Sequence, residues 1–553
     1  MPETNPSGGP CSPPTPLRRF LVLWTVALGA AVLAAVALPR YGVNVAAFGF
    51  LYAALATSWN WTRSTGLFSF GQAAFFGAGA LTQAWLVTSE GFSPWLALLF
   101  AGAAGALAAL PLIPALRLGP PSFALATLAY AILLKGLAGN VSALGMEGFL
   151  LPQNRHFDGA SAAVVSILAL LALISSLGYR AFLRRPSGRA SGAIRQAPET
   201  TLSLGIDLIG ERWRPLTLSA AVTGLGGALY AHLVGSVETS VVFSPTFSVL
   251  PIVLGMLGGA LHPLGGLLGT LALYPLDELI LRPALPHTHT LAYGLALVGL
   301  LLIRPRGLLN APVPRIPASS VLPPIHHDPF AIAVAGLTVR RNGVDVLRDV
   351  SFSVEPGQVL RVRGPNGAGK TSLLLAIAGR LPVAAGAIFF GGTSPPRAAA
   401  ARARCGLARS FQTPRPWPEW TVRENIGFAA ERSNSLEEVD RLLEELDLTA
   451  LKDRPAGLLS VGEGKRLELA RVLASRPAVL LLDEPLAGLS PDAAKRASAL
   501  IERERRQGRT VVWVEHGPAA GDAATRLLVL EGGQVRFLGP LAGWEAAHAA
   551  PPQ

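Results

Sequence analysis

The sequence predicts an all-α polytopic membrane domain of about ten helices followed by an α/β nucleotide-binding domain. Three observations carry that prediction. Charge is scarce: 15% of the residues are charged and 50% are apolar, whereas an ordinary soluble domain is about 25% charged. The scarcity is uneven, because long stretches before residue 310 hold almost no charge while the later part has an ordinary composition. Third, Gly364–Thr371 reads GPNGAGKT between a strand-like run, Val359–Arg363, and a helix-like run, Ser372–Ala378. That is the strand–loop–helix setting of a phosphate-binding loop. With 553 residues, the chain has room for several domains.

Residues 1–19 open with a Pro-, Ser- and Gly-rich stretch and read as a disordered tail. Phe20 to Leu38 follows Arg18-Arg19 and has the length of an uncleaved span, since about 20 apolar residues cross a bilayer. Further candidate spans lie at 43–60, 66–87, 93–113, 122–139, 160–178, 215–234, 246–261, 263–281 and 288–303. The pair at 246–281 is joined only by a short turn at His262-Pro263, so one member can be re-entrant. A cytoplasmic N-terminus puts Arg18, Arg19, Arg63, Arg117, the arginines of the 179–214 loop, Arg304 and Arg306 inside. Arg40, Arg155 and Arg282 fall outside. This is the bias of the positive-inside rule, and it predicts a multi-pass protein of the bacterial cytoplasmic (inner) membrane with both termini cytoplasmic. The transmembrane domain is 20–310, and its longest inside loop, 179–214, contains a helix-like segment from Ala190 to Ile206. The many glycines within the spans suit close helix packing in lipid. Residues 311–329 are Pro-rich and read as a semi-rigid linker.

Net charge is +12, mostly arginine. Membrane placement accounts for it, and no aromatic–basic interleaving points to a nucleic-acid partner. Cys11 and Cys405 are far apart in unlike contexts, so neither a disulfide framework nor a metal site follows.

From 330 to 553, strand-like and helix-like runs alternate. In the phosphate loop, Gly364, Pro365, Asn366, Gly367, Ala368, Gly369, Lys370, Thr371 and Ser372 form the candidate ATP-binding set. Backbone N–H groups and the helix dipole favour phosphate there, Lys370 would reach the β/γ-phosphates, and Thr371 would hold Mg²⁺. Four more elements follow in order: Ser410-Phe411-Gln412; Leu459-Ser460-Val461-Gly462-Glu463; the apolar strand Val479–Leu482 ending in Asp483-Glu484; and the strand Val511–Val514 ending in Glu515-His516. Asp483, Thr371 and Gln412 are the candidate Mg²⁺ ligands. Glu484 can polarise the attacking water as general base, Gln412 can orient that water, and His516 can stabilise charge on the γ-phosphate.

In this order and spacing, residues 330–540 resemble an ABC-transporter ATPase: an α/β P-loop NTPase domain of ABC type with its phosphate loop, glutamine loop, LSVGE signature, acidic strand and switch histidine. The resemblance implies that two such domains sandwich two ATPs, with Ser460, Gly462 and Glu463 capping the nucleotide on the partner's phosphate loop. The position usually held by an adenine-stacking aromatic is Arg341 or Asn342 here, and Ser490 stands where an acidic or amide residue is common. Residues 43–309 resemble the permease of branched-chain amino-acid importers, the hydrophobic amino-acid uptake family. The matching segments are GLFSFGQAAFFGAGA (Gly66–Ala80), LRLGPPSFALATLA (Leu116–Ala129), RRPSGRASGAIRQAPETTLSLGID (Arg184–Asp207) and IRPRGLL (Ile303–Leu309).

The resemblance therefore implies a permease and an ATPase fused in one chain, importing a small polar solute such as a branched-chain amino acid with ATP and Mg²⁺. It implies a coupling loop around Arg189, Ile194, Arg195 and Glu199. The implied partners are membrane lipid, an extracytoplasmic solute-binding protein, and a second permease and ATPase from another copy or from homologous subunits. A urea or short-chain amide importer shares the architecture. A membrane-bound regulatory ATPase without transport is the reading from another class, and the presence of both Glu484 and His516 favours turnover over binding alone.

Overall fold

The structure is a computed structural model that describes residues 17–37, 41–140, 148–151, 162–284, 294–295, 298–299, 302–303, 307–309, 327–433, 435–515 and 525–541. It divides into two compact units, Met1–Arg195 with Leu208–Pro314, and Gln196–Asp207 with Arg315–Gln553.

The first unit is helical. Its main helices are α1 (Leu17–Ala37), α2 (Tyr41–Arg63), α3 (Gln72–Thr88), α4 (Pro94–Leu107), α5 (Pro120–Asn140), α6 (Ala162–Arg184) and α7 (Pro186–Gln196). After the second unit's short α8 (Pro198–Ser203) come α9 (Leu208–Val234), α10 (Thr239–Val242), α11 (Thr246–Gly258) and α12 (Gly265–Leu276). A two-residue ladder joins β1 (Phe149–Leu150) to β2 (Ser236–Val237). The central helix is α2, which packs against α1, α6, α9, α11 and α12. Apolar side chains such as Leu51, Leu55, Phe76, Leu229 and Leu254 fill the core between these helices. The close approach of α3 to α9 requires glycine. A Cβ on Gly79 would lie 2.1 Å from the Gly224 carbonyl oxygen, and one on Gly227 would lie 2.1 Å from that of Phe76.

Six helical stretches among the described residues are long and apolar enough to cross a membrane: Tyr41–Arg63, Pro94–Leu112, Pro120–Asn140, Val164–Arg184, Leu208–Val234 and Thr239–Gly258. The expected runs at 246–261 and 263–281 fold as α11 and α12, of 13 and 12 residues. α11 forms the end of the Thr239–Gly258 stretch, and α12 runs on without a break through a π-helical turn at Asp277–Leu281 to Ala284. Most of the run at 288–303 falls outside the described residues, and the tail before residue 17 and the linker at 311–326 fall wholly outside them.

The single helix expected from Ala190 to Ile206 is instead two, α7 and α8. Pro198 opens α8, and Ala197 before it is extended at φ −145°, ψ 80°, because a proline excludes helical geometry from its predecessor.

The second unit is a two-sheet α/β body. Its strands are β3 (Ile332–Arg341), β4 (Val344–Val354), β5 (Val359–Arg363), β6 (Ala385–Phe390), β7 (Leu407–Arg409), β8 (Val479–Asp483), β9 (Thr510–Val514), β10 (Arg526–Glu531) and β11 (Gln534–Pro540). One sheet runs β11-β10-β5-β9-β8-β7, parallel except for β11, and the other is antiparallel, β4-β3-β6. Strands β8 and β9 are buried throughout, which explains their unbroken apolar runs. The ends of β5, β7, β8 and β9 therefore lie side by side on one edge, where open α/β sheets place their ligands.

Candidate functional site

Each sequence element of the site leaves the sheet at one of these strand ends. β5 runs into Gly364–Gly369 and then the helix Lys370–Ile377. Gly369 caps that helix at φ 96°, and a Cβ there would meet the Val346 carbonyl oxygen at 2.7 Å. Lys370 is buried, and its Nζ donates to the carbonyl oxygens of Gly364 (2.7 Å) and Pro365 (2.9 Å). Burial lowers its pKa, and the charges of Glu484 and Asp483 pull it back up.

Asp483 ends β8 and is 1% exposed. The Ser410 hydroxyl, just past β7, accepts from the Asp483 N–H at 2.9 Å, while both carboxylate oxygens are buried with no hydrogen-bond partner among the described residues. Burial pushes this carboxyl's pKa up, and the Arg409 guanidinium opposes the shift. The Thr371 hydroxyl acts on the same carboxylate. Buried carboxylate oxygens beside a hydroxyl are the ligand type of a hard divalent cation, so Asp483 and Thr371 suit Mg²⁺.

Glu484 sits in the left-handed backbone region at φ 50°, which costs a non-glycine residue about 1–2 kcal/mol. Three contacts hold it there. Its N–H donates to Val514 of β9 at 3.0 Å. Its carbonyl accepts from Lys465 Nζ at 2.7 Å. Its carboxylate accepts from Gln412 Nε2 at 3.3 Å. The structure thus brings Gln412, Asp483, Glu484 and Lys370 to one strand-end edge. His516 lies outside the described residues.

Ser460 caps the helix Val461–Ala474 with a complete capping box. Its hydroxyl accepts from Glu463 N–H at 3.3 Å, and its own N–H donates to Glu463 Oε2 at 2.7 Å. These bonds from Ser460 hold the Glu463 carboxyl below the usual carboxylate range. Val461 and Gly462 follow at the start of the helix, with Val461 70% exposed. Ser490 is likewise an N-cap, opening the helix Pro491–Arg506. Arg341 and Asn342 are exposed at the β3–β4 turn.

The four residues of the 179–214 loop divide between the units. Arg189, Ile194 and Arg195 belong to the first, where Arg189 and Ile194 are buried. Glu199 belongs to the second. It pairs with Arg380 at 2.5 Å and Arg415 at 2.9 Å. Around it, Thr200 donates to the Arg415 carbonyl (2.7 Å), Trp417 Nε1 donates to Thr201 (3.2 Å), and Glu419 N–H donates to Gln196 Oε1 (2.9 Å).

Sequence reasoning missed three buried charges on the Val461–Ala474 helix: Lys465, Glu468 and Arg471. Glu468 accepts from the N–H groups of Phe411 (3.3 Å) and Arg415 (3.4 Å) and pairs with Arg471 at 2.6 Å. Arg471 also donates to the Arg415 carbonyl and stacks its guanidinium 4.9 Å from the Trp417 ring. This pair anchors the segment that carries Gln412. The signal was present in the sequence: charges three residues apart share a helix face, here between apolar Leu467, Leu469 and Val472.

Comparison with known proteins follows the same division. The family described as "Branched-chain amino acid transport system / permease component" matches residues 41–304, and the ABC transporter family matches residues 347–487. A probable ABC transporter ATP-binding protein of Azorhizobium caulinodans is 38% identical over 192 residues, 34% of this chain and 68% of that protein. The high-affinity branched-chain amino acid transport ATP-binding protein BraF of Pseudomonas aeruginosa is 34% identical over 207 residues, 34% of this chain and 81% of that protein. The chain belongs to the ABC transporter family. Among solved structures, a nucleotide-free ATP-binding cassette from an ABC transporter is 29% identical, with 40% of this chain covering 96% of it at a TM-score of 0.36. This ABC transporter is a membrane protein that joins a branched-chain-type permease to an ATP-binding domain in one polypeptide. It hydrolyses ATP to drive import.

Proposed function

We propose that this transporter imports branched-chain or related amino acids across the cytoplasmic membrane, receiving them from an extracytoplasmic binding protein. The observation that carries the solute class is the branched-chain permease match over residues 41–304 in the same chain as the ATPase.

In this reading, Glu484 is the general base that activates water. Its strained backbone and three anchors support a fixed carboxylate direction, and Gln412, bonded to it, orients the water. Lys370 and the loop from Gly364 to Ser372 hold the phosphates of ATP. His516 stabilises charge developing on the γ-phosphate. Thr371, Gln412 and Asp483 would hold Mg²⁺, which when bound neutralises phosphate charge. Ser460, Gly462 and Glu463 cap the nucleotide held by a second copy of the chain or a homologous subunit. The segment around Glu199 passes the state of the ATPase to the permease. The domain limits that go with this reading are 20–310 for the permease and 330–553 for the ATPase, with a linker at 311–329.

The test is uptake by proteoliposomes holding the full chain and its binding protein. Leucine uptake should depend on ATP, and Glu484→Gln should reduce turnover to about 1% or less of wild type, a loss of the size expected for removing a general base, while ATP still binds. Uptake of urea but not leucine would replace the solute class. ATPase activity indifferent to the binding protein, with no uptake, would remove transport itself.

A further inference from the structure

We infer that Lys465 is a positioning residue for hydrolysis: from the helix that Ser460 caps, it holds the backbone of Glu484 in its left-handed conformation. The inference rests on the reading of Glu484 as the water-activating group.

Lys465 lies in the second turn of Val461–Ala474 and is 8% exposed. Its ammonium makes a 2.7 Å bond to the Glu484 carbonyl oxygen, not to a carboxylate. The N–H of the same residue is bound to Val514. The two peptide groups flanking Glu484 are therefore held from opposite sides, one by the sheet and one by the helix. At φ 50°, a conformation L-residues avoid, the direction of the Glu484 side chain depends on those two anchors. Release of the carbonyl lets the peptide relax towards an ordinary geometry and swings the carboxylate away from Gln412.

A buried ammonium is a costly way to fill space. An apolar side chain would fit the helix face without that cost, and burial already lowers the Lys465 pKa against the pull of Glu484, Asp483 and Glu468. The bond to the Glu484 carbonyl oxygen offsets part of that cost. The bond also has a direction. The helix whose first residues face the partner's nucleotide in the proposed reading reaches this chain's own Glu484 through one rigid turn and one side chain. A shift of the helix start is thereby carried to the carboxylate that acts on the other nucleotide.

The test is steady-state hydrolysis by the full chain in lipid nanodiscs. Lys465→Met keeps length and removes the donor, and Lys465→Arg keeps a donor. Lys465→Met should lower kcat about tenfold or more with the KM for ATP changed less than about threefold, the pattern of a loss felt only in the transition state. Lys465→Arg should recover most of kcat. Wild-type kcat in Lys465→Met overturns the inference. So does a loss that Lys465→Arg does not recover, or one shared equally by kcat and ATP affinity, because each marks a merely structural lysine. Glu484→Gln is measured alongside. If it still turns over, the reading of Glu484 fails; if it is inactive while Lys465→Met is normal, only the positioning role fails.

Discussion

Both carboxylate oxygens of Asp483 are buried with no hydrogen-bond partner among the described residues, although the backbone beside them is tied to Ser410. Burying an ionised group costs stability, and a divalent cation held there, as proposed above, would offset that cost. Arg409, the Thr371 hydroxyl and Lys465 soften the penalty. Asp483→Asn should therefore raise the unfolding midpoint of the nucleotide-free protein, by about 1 kcal/mol of stability if the amide fits the same space. The same variant should lose the further stabilisation that Mg²⁺ with ATP gives the wild type, because a ligand stabilises only the state that binds it. Thermal unfolding with and without Mg-ATP checks both halves. A midpoint below wild type in the nucleotide-free protein would mean that the carboxylate is already paid for by its cationic neighbours.

At the scale of elements, the six-residue helix α8 meets its neighbours with side chains facing fixed partners. Glu199 forks to Arg380 and Arg415, and Thr200 and Thr201 bind the segment that leads back to Gln412. Exposed ion pairs contribute little each, about 0.2–1 kcal/mol, so their removal should leave the ATPase folded. Glu199→Arg puts a third cation against two and should lower uptake about tenfold while basal hydrolysis stays within about twofold, since like charges at contact repel where opposite charges attracted. Parallel uptake and phosphate-release assays check this, and equal loss of both would place Glu199 in the fold and not in coupling. The sequence made the ends of these elements legible and left their junctions hidden. GPNGAGKT, the capping-box pattern from Ser460 to Glu463 and the acidic end of β8 are local, and local chemistry fixes their shape. The Lys465–Glu484, Glu468–Phe411 and Ser410–Asp483 contacts join residues 19, 57 and 73 positions apart, and no spacing rule reaches so far. Pro198, by contrast, was visible in the sequence, and its power to split the expected 190–206 helix followed from elementary backbone sterics.

For the whole molecule, apolar length read the membrane part only in outline. Runs of apolar residues identify helices but miss irregularities within them, such as the π-helical turn at Asp277–Leu281 that continues α12. The glycine contacts of α3 with α9 are likewise a matter of packing, which hydropathy does not register. The ATPase part raises a sharper question, because its own chain separates the phosphate loop from the Ser460 cap by almost a hundred positions, and the proposed reading assigns them to different nucleotides. Two copies then form two sites, each with a loop from one chain and a cap from the other. Lys370→Ala breaks the loop, Ser460→Arg breaks the cap, and either variant alone damages both sites of a homodimer. Mixed dimers restore one intact site, because both lesions fall on the other. Random pairing makes half of the dimers mixed, so co-reconstitution should recover about one quarter of wild-type hydrolysis if closed two-fold assembly holds and the sites turn over independently. Recovery must rise and fall with the ratio of the two variants and peak near equality. Hydrolysis by either variant alone at the wild-type rate would show that the two motifs serve no shared site. Absence of recovery at every ratio would show either that a dimer needs both sites intact to turn over or that the second ATPase is a different chain.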